Sequence, residues 1–547
     1  MSVRILILGG GFAGAFTARH LLPFRRRHQL DIELINATNY FVFQPLLPEV
    51  ASGTISAPDA VTPLRVMLPG VKVRMAEVKS VDRVNRKVRV VQGSKRVPID
   101  IAYDHLVITS GQRTNLSLIP GMREHGLTLR DLADAHHLRN HVIQCLEHAD
   151  VTTNKKLKQR LLTFVVAGGG FSGVETIGEM MEMIRRMSRF YPNVAVEEIK
   201  AILVQRGDRI LPELPEKLGH YALRALQKNG IEVLLKKGIA SVFSGSVLLD
   251  DDSRLETATV ISTIGNEAGN LARSLGIPLV RGKLEVNPGL QLSGHEDVWA
   301  AGDVALVPLP ATRQNGDSNA DAQAQQYAPP TAQFAVRQAR CLAQNLILSI
   351  TGKPVRDFSY QPKGALASLG NYRGVADVMG IRIAGLPAWV LWRGFYIAML
   401  PGFATRLRIA LNWFFDYFLP RNTVQIKTDV DSGTRHIRVA AGDVLFDPGQ
   451  IADGFYVVME GALELRVAAG PEGGEDFVRL YRAGDHWGER LIHTDQYMPG
   501  RLLAVEDSRV LVLNGRDFIS LRQSLPMLES YFNSLPEAHY APSLRRS

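Results

Sequence analysis

Cysteine is almost absent from this sequence: its 547 residues include two, Cys145 and Cys341, which lie far apart along the chain. A disulfide framework, a four-cysteine zinc site and a closely spaced redox pair of the CxxC type are therefore excluded. We predict no metal site. Hydrophobic residues make up 46% of the chain and charged residues 21%, which is typical of a globular protein and not of a disordered or collagen-like one.

Long apolar stretches are also missing. No segment reaches about 18 residues without a charge, so we expect no conventional transmembrane helix. The chain starts with a short apolar run, Met1 to Leu8, which leads into glycines instead of a cleavage site and favours a buried first strand over a signal peptide. We therefore expect a cytoplasmic protein, with contact to a membrane surface still open.

Basic residues outnumber acidic residues, 63 to 54, which gives a net charge of +9. This excess indicates an anionic partner, which could be lipid, a dinucleotide cofactor or nucleic acid. At about 100–200 residues per domain, the length predicts three or four domains.

A glycine-rich turn follows the first predicted strand, Val3 to Leu8, and leads into a predicted helix from Ala15 to Leu22. Gly9 allows the tight turn, Gly11 lets the backbone approach a pyrophosphate, and Gly14 packs the helix on the strand. The free N–H groups of the helix N-terminus suit phosphates. The pattern predicts a dinucleotide site, and the alternative is a glycine-rich turn of another α/β fold.

The next predicted strand, Asp31 to Ile35, ends at Asn36, where an acid would normally bind the ribose hydroxyls. An asparagine can still hydrogen-bond a ribose, although it carries no charge. Glu33 is the nearest acid, but side chains alternate along a strand and it can point elsewhere.

The same pattern occurs a second time. A predicted strand, Leu162 to Ala167, precedes a helix that we expect to begin at Val174, and the turn between them carries the three glycines Gly168, Gly170 and Gly173. Two such units indicate electron transfer between two dinucleotides, a flavin in one unit and a nicotinamide in the other.

The strand after the second turn, Lys200 to Val204, is followed by Gln205 in the position of the ribose-binding acid, and by Arg206. The missing acid and the adjacent arginine weaken the preference for NADH over NADPH. A solvated loop position for Arg206 is equally compatible with the sequence.

Four further segments accompany the two turns: residues 39–51 (NYFVFQPLLPEVA), 107–111 (VITSG), 298–303 (VWAAGD) and 329–333 (PPTAQ). In this order and combination they resemble the type II NADH:quinone oxidoreductases over roughly residues 1–420. That family consists of single-chain, non-proton-pumping flavoenzymes on the membrane surface. The resemblance implies an α/β protein with two Rossmann-like dinucleotide-binding domains, the two-domain pyridine nucleotide-disulfide oxidoreductase fold, which binds FAD and NADH or NADPH.

The resemblance also implies residue roles around FAD. The first turn would hold the pyrophosphate, Thr109 to Gly111 would return the chain toward the flavin, and Gln44 with Pro45 would close over the isoalloxazine. Asp303, after Gly302, would bind the ribityl chain; its structural alternative is a helix cap.

On the nicotinamide side, the resemblance places Glu175 near the nicotinamide–flavin interface as a catalytic residue, and the segment Thr263 to Gly265 under the nicotinamide. A glutamate in the first turn of a helix is also favoured by the helix dipole alone, which is the structural alternative for Glu175.

Ala332 and Gln333 resemble the start of the family's quinone motif, Ala-Gln-x-x-x-Gln, with Gln333 as the second catalytic residue. Arg337 stands at the second glutamine position, and Gln338 follows it. This departure leaves the acceptor open. A sulfide:quinone oxidoreductase is the less favoured alternative, since it would need Cys145 and Cys341 at the flavin, and a lone cysteine in a helix is more often a buried hydrophobe.

The segment from Leu386 to Leu419 is rich in aromatic residues, among them Trp389, Trp392 and Trp413, and it also contains arginines. Apolar rings with arginines suit helices that lie in the headgroup plane. The alternative is a pair of helices that packs a dimer or another domain.

Short predicted strands with glycine turns follow residue 425 and resemble the cyclic-nucleotide-binding fold, a small β-roll. Glu489 matches the ribose-binding glutamate of that family, but Met498 stands where the phosphate-binding arginine is expected, and Arg501 lies three residues late. A buried phosphate without a cation is costly, so we expect the module not to bind a cyclic nucleotide in the usual way.

We therefore predict an FAD-binding domain (1–115 and 285–370), a nicotinamide-binding domain (116–284), amphipathic membrane-associating helices (371–425) and a cyclic-nucleotide-binding-like domain (426–547). The predicted protein is an NAD(P)H dehydrogenase that passes electrons through FAD to a quinone or similar acceptor, on the inner face of the cell membrane. We expect no nucleic-acid partner, and a homodimer is possible. The rival functions are a soluble flavin reductase with another acceptor and a redox or ligand sensor.

Overall fold

The computed structural model describes residues 2–310, 325–362, 364–419, 421, 424–425, 433–468, 477–488 and 497–534. Its first sheet has five parallel strands, and the central one, Val3–Leu8, ends in four buried apolar residues. In spatial order the strands are Val298–Ala300, His105–Ile108, Val3–Leu8, Leu30–Asn36 and Lys72–Met75.

Two helices cover one part of this sheet and pack on each other, Phe12–Leu21 and Ala332–Ile350. A three-stranded antiparallel sheet is attached to the same unit and consists of Glu77–Asp82, Lys87–Gln92 and Val97–Ala102.

The second unit repeats the arrangement. Its parallel sheet has the order Gly126–Leu127, Thr259–Ser262, Thr163–Ala167, Lys200–Gln205 and Ile231–Leu235. Its helices are Leu132–Val151, Lys155–Leu161, Phe171–Ser188 and Glu216–Lys228. An antiparallel sheet of Ile239–Phe243, Ser246–Leu249 and Arg254–Glu256 is attached to it.

The chain crosses between the two units on a pair of antiparallel strands, Gln112–Thr114 and Asn266–Ala268. The predicted α/β fold with two Rossmann-like sheets is confirmed. Both glycine-turn helices start three residues earlier than predicted, at Phe12 and Phe171, because Gly11 and Gly170 are the N-caps and the third glycine lies inside the first turn.

A hairpin-based sheet and two helices follow. The strands Gly364–Ser368, Gly374–Val378 and Ile381–Gly385 form an antiparallel sheet, and the helices are Leu386–Met399 and Phe403–Phe418. This corrects the predicted start of the helical segment at residue 371: residues 374–378 and 381–385 pair with the strand before them, and the helices begin at Leu386.

The last part of the chain has two four-stranded antiparallel sheets around a core of its own. One sheet has the order Thr434–Val439, Ser508–Asn514, Gly454–Glu460 and His486–Trp487; the other has the order Val444–Phe446, Arg501–Ala504, Ala462–Val467 and Phe477–Arg482. The helices Gly515–Ser524 and Pro526–Ser534 follow. We refer to the described residues from 433 onward as the C-terminal module.

Candidate dinucleotide and acceptor sites

A cavity of about 530 Å³ lies at the carboxyl ends of the strands of the first sheet. Ligands of open parallel sheets bind at this edge. Its walls contain the predicted residues Gly9, Gly11, Asn36, Gln44, Thr109, Gly111, Gly302, Asp303 and Ala332. The structure therefore brings together residues from five separate stretches of the sequence.

The three glycines of the first turn differ in what surrounds them. A Cβ on Gly14 would lie 1.9 Å from the carbonyl oxygen of Gly9, so this position is closed by the fold itself. Gly9 has φ +111°, a value that L side chains rarely adopt. A Cβ on Gly11 would meet nothing within 4 Å, because this glycine opens into the cavity. The space beside Gly11 is therefore open to a ligand and is not filled by other parts of the protein.

The second turn has the same geometry. A Cβ on Gly173 would lie 1.8 Å from the oxygen of Gly168, which has φ +110°, whereas a Cβ on Gly170 would meet nothing within 4 Å. Both units therefore present one open glycine at the N-terminus of a helix, where backbone N–H groups can meet a phosphate.

The side chains that were predicted to bind ribose also brace these turns. The Oδ1 of Asn36 accepts a hydrogen bond of 2.8 Å from the N–H of Gly10, and the Oε1 of Gln205 accepts one of 2.9 Å from the N–H of Gly169. The amide nitrogen of Asn36 also donates to the oxygen of Thr38 at 2.9 Å, and that of Gln205 donates to the oxygen of Arg209 at 3.3 Å. Arg206, next to Gln205, is exposed.

Threonines close the two turns in parallel ways. The hydroxyl of Thr109 donates to the oxygen of Leu8 at 2.9 Å, and the hydroxyl of Thr263 donates to the oxygen of Ala167 at 2.7 Å. Gly265, at φ +76°, accepts a hydrogen bond of 2.7 Å from the N–H of Asn115 and so joins the second unit to the crossing strand.

Asp303, the acid that ends the segment 298–303, lies in the cavity wall. Asp303 is partly buried, and desolvation raises its pKa, while the charges of Arg130 and Lys283 lower it. The described chain forms no helix directly after Asp303, so the structural alternative of a helix cap is wrong.

Two residues at this site, Arg130 and Gln338, were missed by the sequence interpretation. Arg130 lines the cavity and donates to the oxygen of Gln112 at 2.6 Å, and its carbonyl accepts from the side chain of Gln44 at 3.2 Å. Gln338, which is buried, accepts a hydrogen bond of 2.7 Å from the N–H of Gly302 and so supports the turn before Asp303. Only contacts distant in sequence give these side chains their positions, and no local pattern marks them.

The cavity fits an elongated ligand with phosphates and hydroxyls. Gly11 leaves open space, and Arg130 contributes a cation to the wall. The buried Oε1 of Gln112 has no hydrogen-bond partner among the described residues. Such an orphan acceptor in a cavity wall is satisfied when a donor group of a ligand binds there. These features match the first dinucleotide that the sequence predicts, FAD.

Glu175 lies in the second turn of the helix Phe171–Ser188 and is buried; the first turn of this helix contains no acidic residue. Its Oε1 accepts hydrogen bonds from the indole N–H of Trp392 at 2.9 Å and from the N–H of Ser368 at 3.1 Å. Burial raises the pKa of Glu175 to about 8, against the lowering effect of these two bonds. It therefore holds a proton near neutral pH.

Two further buried carboxyls surround Glu175. Glu179, one helical turn further along, accepts a hydrogen bond of 3.2 Å from the hydroxyl of Ser368, and burial raises its pKa to about 8. Glu49 accepts a bond of 2.7 Å from the indole N–H of Trp413, and burial raises its pKa although Arg393 lies 3.4 Å away.

Gln333 follows the cavity residue Ala332 at the start of the helix Ala332–Ile350. Its Oε1 accepts a hydrogen bond of 3.2 Å from the hydroxyl of Tyr360, and its amide N–H group reaches the oxygen of Gly364 at 3.4 Å. The guanidinium of Arg337, at the departing position of the quinone motif, lies over the ring of Tyr360 at 5.0 Å.

Neither cysteine lies in the cavity wall. Burial raises the pKa of Cys145 to about 11 and also raises that of Cys341. Both are therefore protonated thiols away from the cavity, which does not favour the sulfide alternative. Of the remaining predicted residues, Pro45 lies in a short 3-10 helix beside the cavity residue Gln44.

The paired turns, the cavity and the partly buried acid after Gly302 define a class of two-dinucleotide oxidoreductases. A family model confirms this class. The model of the pyridine nucleotide-disulphide oxidoreductases matches residues 3–339, and the chain belongs to that family. The NDH2 C-terminal domain matches residues 363–422, and the cyclic nucleotide-binding domain matches residues 436–524.

Individual proteins that are similar to this chain support the same assignment. The chain is 27% identical to the type II NADH:quinone oxidoreductase Ndh of Mycobacterium tuberculosis, over 79% of this chain and 92% of that protein. It is 30% identical to the demethylphylloquinone reductase NdbB of Synechocystis, over 75% of this chain and 95% of that protein. The resemblance to the type II NADH:quinone oxidoreductases is confirmed.

Among solved structures, the fold is similar to that of NDH2 from Plasmodium falciparum in complex with NADH. The TM-score is 0.71 at 20% identity, and the match covers 78% of this chain and all of that one.

Proposed function

We propose that this protein is an FAD-dependent NAD(P)H dehydrogenase that reduces a quinone. The observation that carries the proposal is the repeated turn, in which Gly11 and Gly170 each leave open space at a helix N-terminus on either side of one crossing connection. The overall reaction takes a hydride from NAD(P)H and one proton from solvent, and converts the quinone to a quinol. FAD, when bound, supplies the two-electron carrier between the two substrates.

The residues of the first cavity would hold FAD. The turn at Gly9 to Gly14 would receive the pyrophosphate, with Arg130 as a nearby cation. Asp303 would accept hydrogen bonds from the ribityl hydroxyls, and Gln44 with Pro45 would close the flavin end. The turn at Gly168 to Gly173 would receive the nicotinamide dinucleotide, with Gly265 and Glu175 toward its reactive end.

Gln333 would contact the quinone on the acceptor side. It lies next to the cavity wall, and its amide is presented by Tyr360.

The surface of the two helices Leu386–Met399 and Phe403–Phe418 supports peripheral membrane association, on the inner face of the cell membrane. Large apolar side chains are exposed on these helices, together with the basic side chains of Arg406 and Arg408. The apolar ones are Leu386, Val390, Leu391, Phe403, Leu407, Leu411, Phe414, Phe415, Tyr417 and Phe418. Such a surface lies in the interfacial region of a bilayer, where a quinone is reached without leaving the lipid. None of the described helices is both long and apolar enough to cross a membrane. The same apolar surface could alternatively pair two copies of the chain.

The C-terminal module would act as a regulatory element without a conventional cyclic nucleotide site. Met498, at the position expected for the phosphate-binding arginine, is buried in the module core, and Arg501 is paired with Asp447 at 2.9 Å. Glu489 lies outside the described residues. A cyclic phosphate would thus lack its usual cation.

Two matched variants test the proposal. Gly11→Val fills the space at the first turn, so the purified protein should be folded but colourless. Gly170→Val fills the equivalent space at the second turn, so the protein should be yellow but its flavin should not be reduced by NADH or NADPH in anaerobic stopped-flow measurements. A yellow Gly11→Val protein, or normal flavin reduction in Gly170→Val, would contradict the assignment of the two turns.

A further inference from the structure

The C-terminal module contacts the second dinucleotide unit through an edge strand. Arg438 lies in Thr434–Val439, which forms the edge of its sheet. The N–H of Arg438 donates to Nε2 of His125 at 2.8 Å, and its carbonyl accepts from the N–H of Ser244 at 2.9 Å. The N–H and carbonyl groups of Arg438 that point away from its own sheet are therefore both hydrogen-bonded to the second dinucleotide unit.

The side chain of Arg438 adds to this contact. Its guanidinium lies over the ring of Phe243 at 5.2 Å. Burial lowers the pKa of His125 to about 4, so the imidazole is neutral and its Nε2 can accept the hydrogen bond from the backbone.

Two ion pairs with opposite polarity flank the edge strand. Arg509 of the module lies 3.3 Å from Glu124, and Asp443 of the module lies 2.5 Å from Arg254. The module contributes the cation to one pair and the anion to the other. This arrangement favours one orientation of the module and disfavours the reverse, in which like charges would meet.

The contacted surface is placed directly after the crossing connection. The short helix Met122–His125 follows the crossing strand Gln112–Thr114 by seven residues. Gly121, at φ +78°, precedes this helix, and a Cβ there would lie 1.8 Å from the oxygen of Val242. A cleft of about 320 Å³ separates the module from residues 116–124. The module thus contacts the segment that follows the crossing strand between the two dinucleotide units.

We propose that docking of the C-terminal module on residues 121–125 and 243–254 controls binding of the nicotinamide coenzyme. This inference rests on the proposed function. The docked module holds the connecting segment and keeps the second unit in the orientation that binds NAD(P)H. An undocked module releases the segment, so the coenzyme then binds more weakly because part of its binding energy is spent on ordering that segment. The docking residues Arg438, Asp443 and Arg509 of the module are not part of the FAD cavity wall.

Charge reversal with rescue tests the inference in the full-length holoprotein. Glu124→Arg and Arg509→Glu each place like charges across the interface, and the double variant restores an opposite pair. Each single variant should raise KM for NADH by about fivefold or more, the lower end of typical coupling between sites. The double variant should return to within about twofold of the unmodified protein. FAD content and KM for a water-soluble quinone should stay constant in all of them.

Hydrogen exchange of residues 116–125, followed by mass spectrometry, reports docking independently of turnover. The single variants should lose protection there and the double variant should regain it. The control is Arg435→Glu, which breaks the pair of Arg435 with Asp453 inside the module and should change neither readout.

Three outcomes would overturn the inference: unchanged protection in the single variants, lost protection with an unchanged KM for NADH, or an equal change in KM for both substrates. Failure of the proposed function would look different, since NADH would then not reduce the flavin of the unmodified protein at all.

Discussion

Tyr360 illustrates how a residue without a sequence signal can define a site. It contacts three residues of one helix: its hydroxyl donates to Gln333, its ring packs on Phe334 at 5.0 Å, and Arg337 lies over it. The family motif would have a glutamine where Arg337 stands. In this chain, the polar group that reaches Gln333 is the tyrosine hydroxyl, and the arginine supports the ring that carries it.

Tyr360→Phe should therefore slow reoxidation of the reduced flavin by quinone, and should leave flavin reduction by NADH unchanged. Loss of one hydrogen bond is worth about 0.5–1.5 kcal/mol, which corresponds to roughly 2- to 10-fold in rate. Stopped-flow measurement separates the two half-reactions.

The matched test is the same substitution in a Gln333→Ala background, where it should have no further effect because the residue that Tyr360 orients is gone. Additive losses in the double variant would contradict the positioning role. An unaffected reoxidation in Gln333→Ala alone would instead argue against the acceptor site.

Glu175 makes the stability of the protein depend on pH. Its pKa is raised by burial from 4.5 to about 8, so between these values the folded protein keeps a proton that the unfolded chain has lost. Stability is therefore fully present below about pH 4.5 and decreases as the pH rises toward 8, by up to about 1.4 kcal/mol per pH unit for one proton. Glu175→Gln should make this decrease smaller, as measured by denaturant unfolding at pH 6, 7 and 8. A parallel decrease in both proteins would contradict the assignment.

At the scale of elements, the regular patterns were predictable and the long-range contacts were not. Val3–Leu8 and the glycine turns follow from local rules, because a short apolar strand, a positive φ and a helix N-terminus are all encoded within about ten residues. Arg130 and Gln338 reach the cavity only through tertiary contacts, to Gln112 and Gly302, and nothing nearby in sequence marks them.

The aromatic helices show the same limit of prediction from sequence. Not all of their tryptophans face outward: Trp392 and Trp413 are buried and donate their indole N–H groups to Glu175 and Glu49. A buried carboxyl needs such a donor, but composition alone cannot tell which ring of an aromatic segment faces inward. The exposed rings are others, chiefly Phe403, Phe414, Phe415, Tyr417 and Phe418.

The membrane test therefore uses the outward side chains. Leu411→Ser, Phe414→Ser and Phe418→Ser together should release the protein from anionic liposomes, since each large apolar side chain contributes about 1.5–3 kcal/mol when it leaves water. Co-sedimentation should drop at least about tenfold, while FAD content stays constant. Val84→Ser with Val151→Ser, exposed side chains of other elements, is the control and should sediment as before. Unchanged binding of the triple variant would remove the membrane assignment.

At the scale of the whole molecule, one buried arginine connects three parts of the chain. Arg421 follows the second aromatic helix, and its side chain is 2% exposed. It donates to Asp416 of that helix at 2.9 Å, to Glu182 of the second dinucleotide unit at 3.3 Å, and to the backbone oxygen of Ser52 in the first unit at 3.3 Å.

Arg421→Ala should consequently weaken the contacts among all three parts and lower the stability of the protein. Removal of one partner from a buried ion-pair network leaves carboxylates without full compensation, and typically costs about 3–5 kcal/mol. Trp413 lies in the same helix as Asp416, so tryptophan fluorescence during denaturant unfolding reports the affected transition. Arg89→Ala, which removes an exposed pair with Asp100, is the control and should change the unfolding midpoint little. Equal midpoints for the two variants would mean that the Arg421 network does not hold the three parts together.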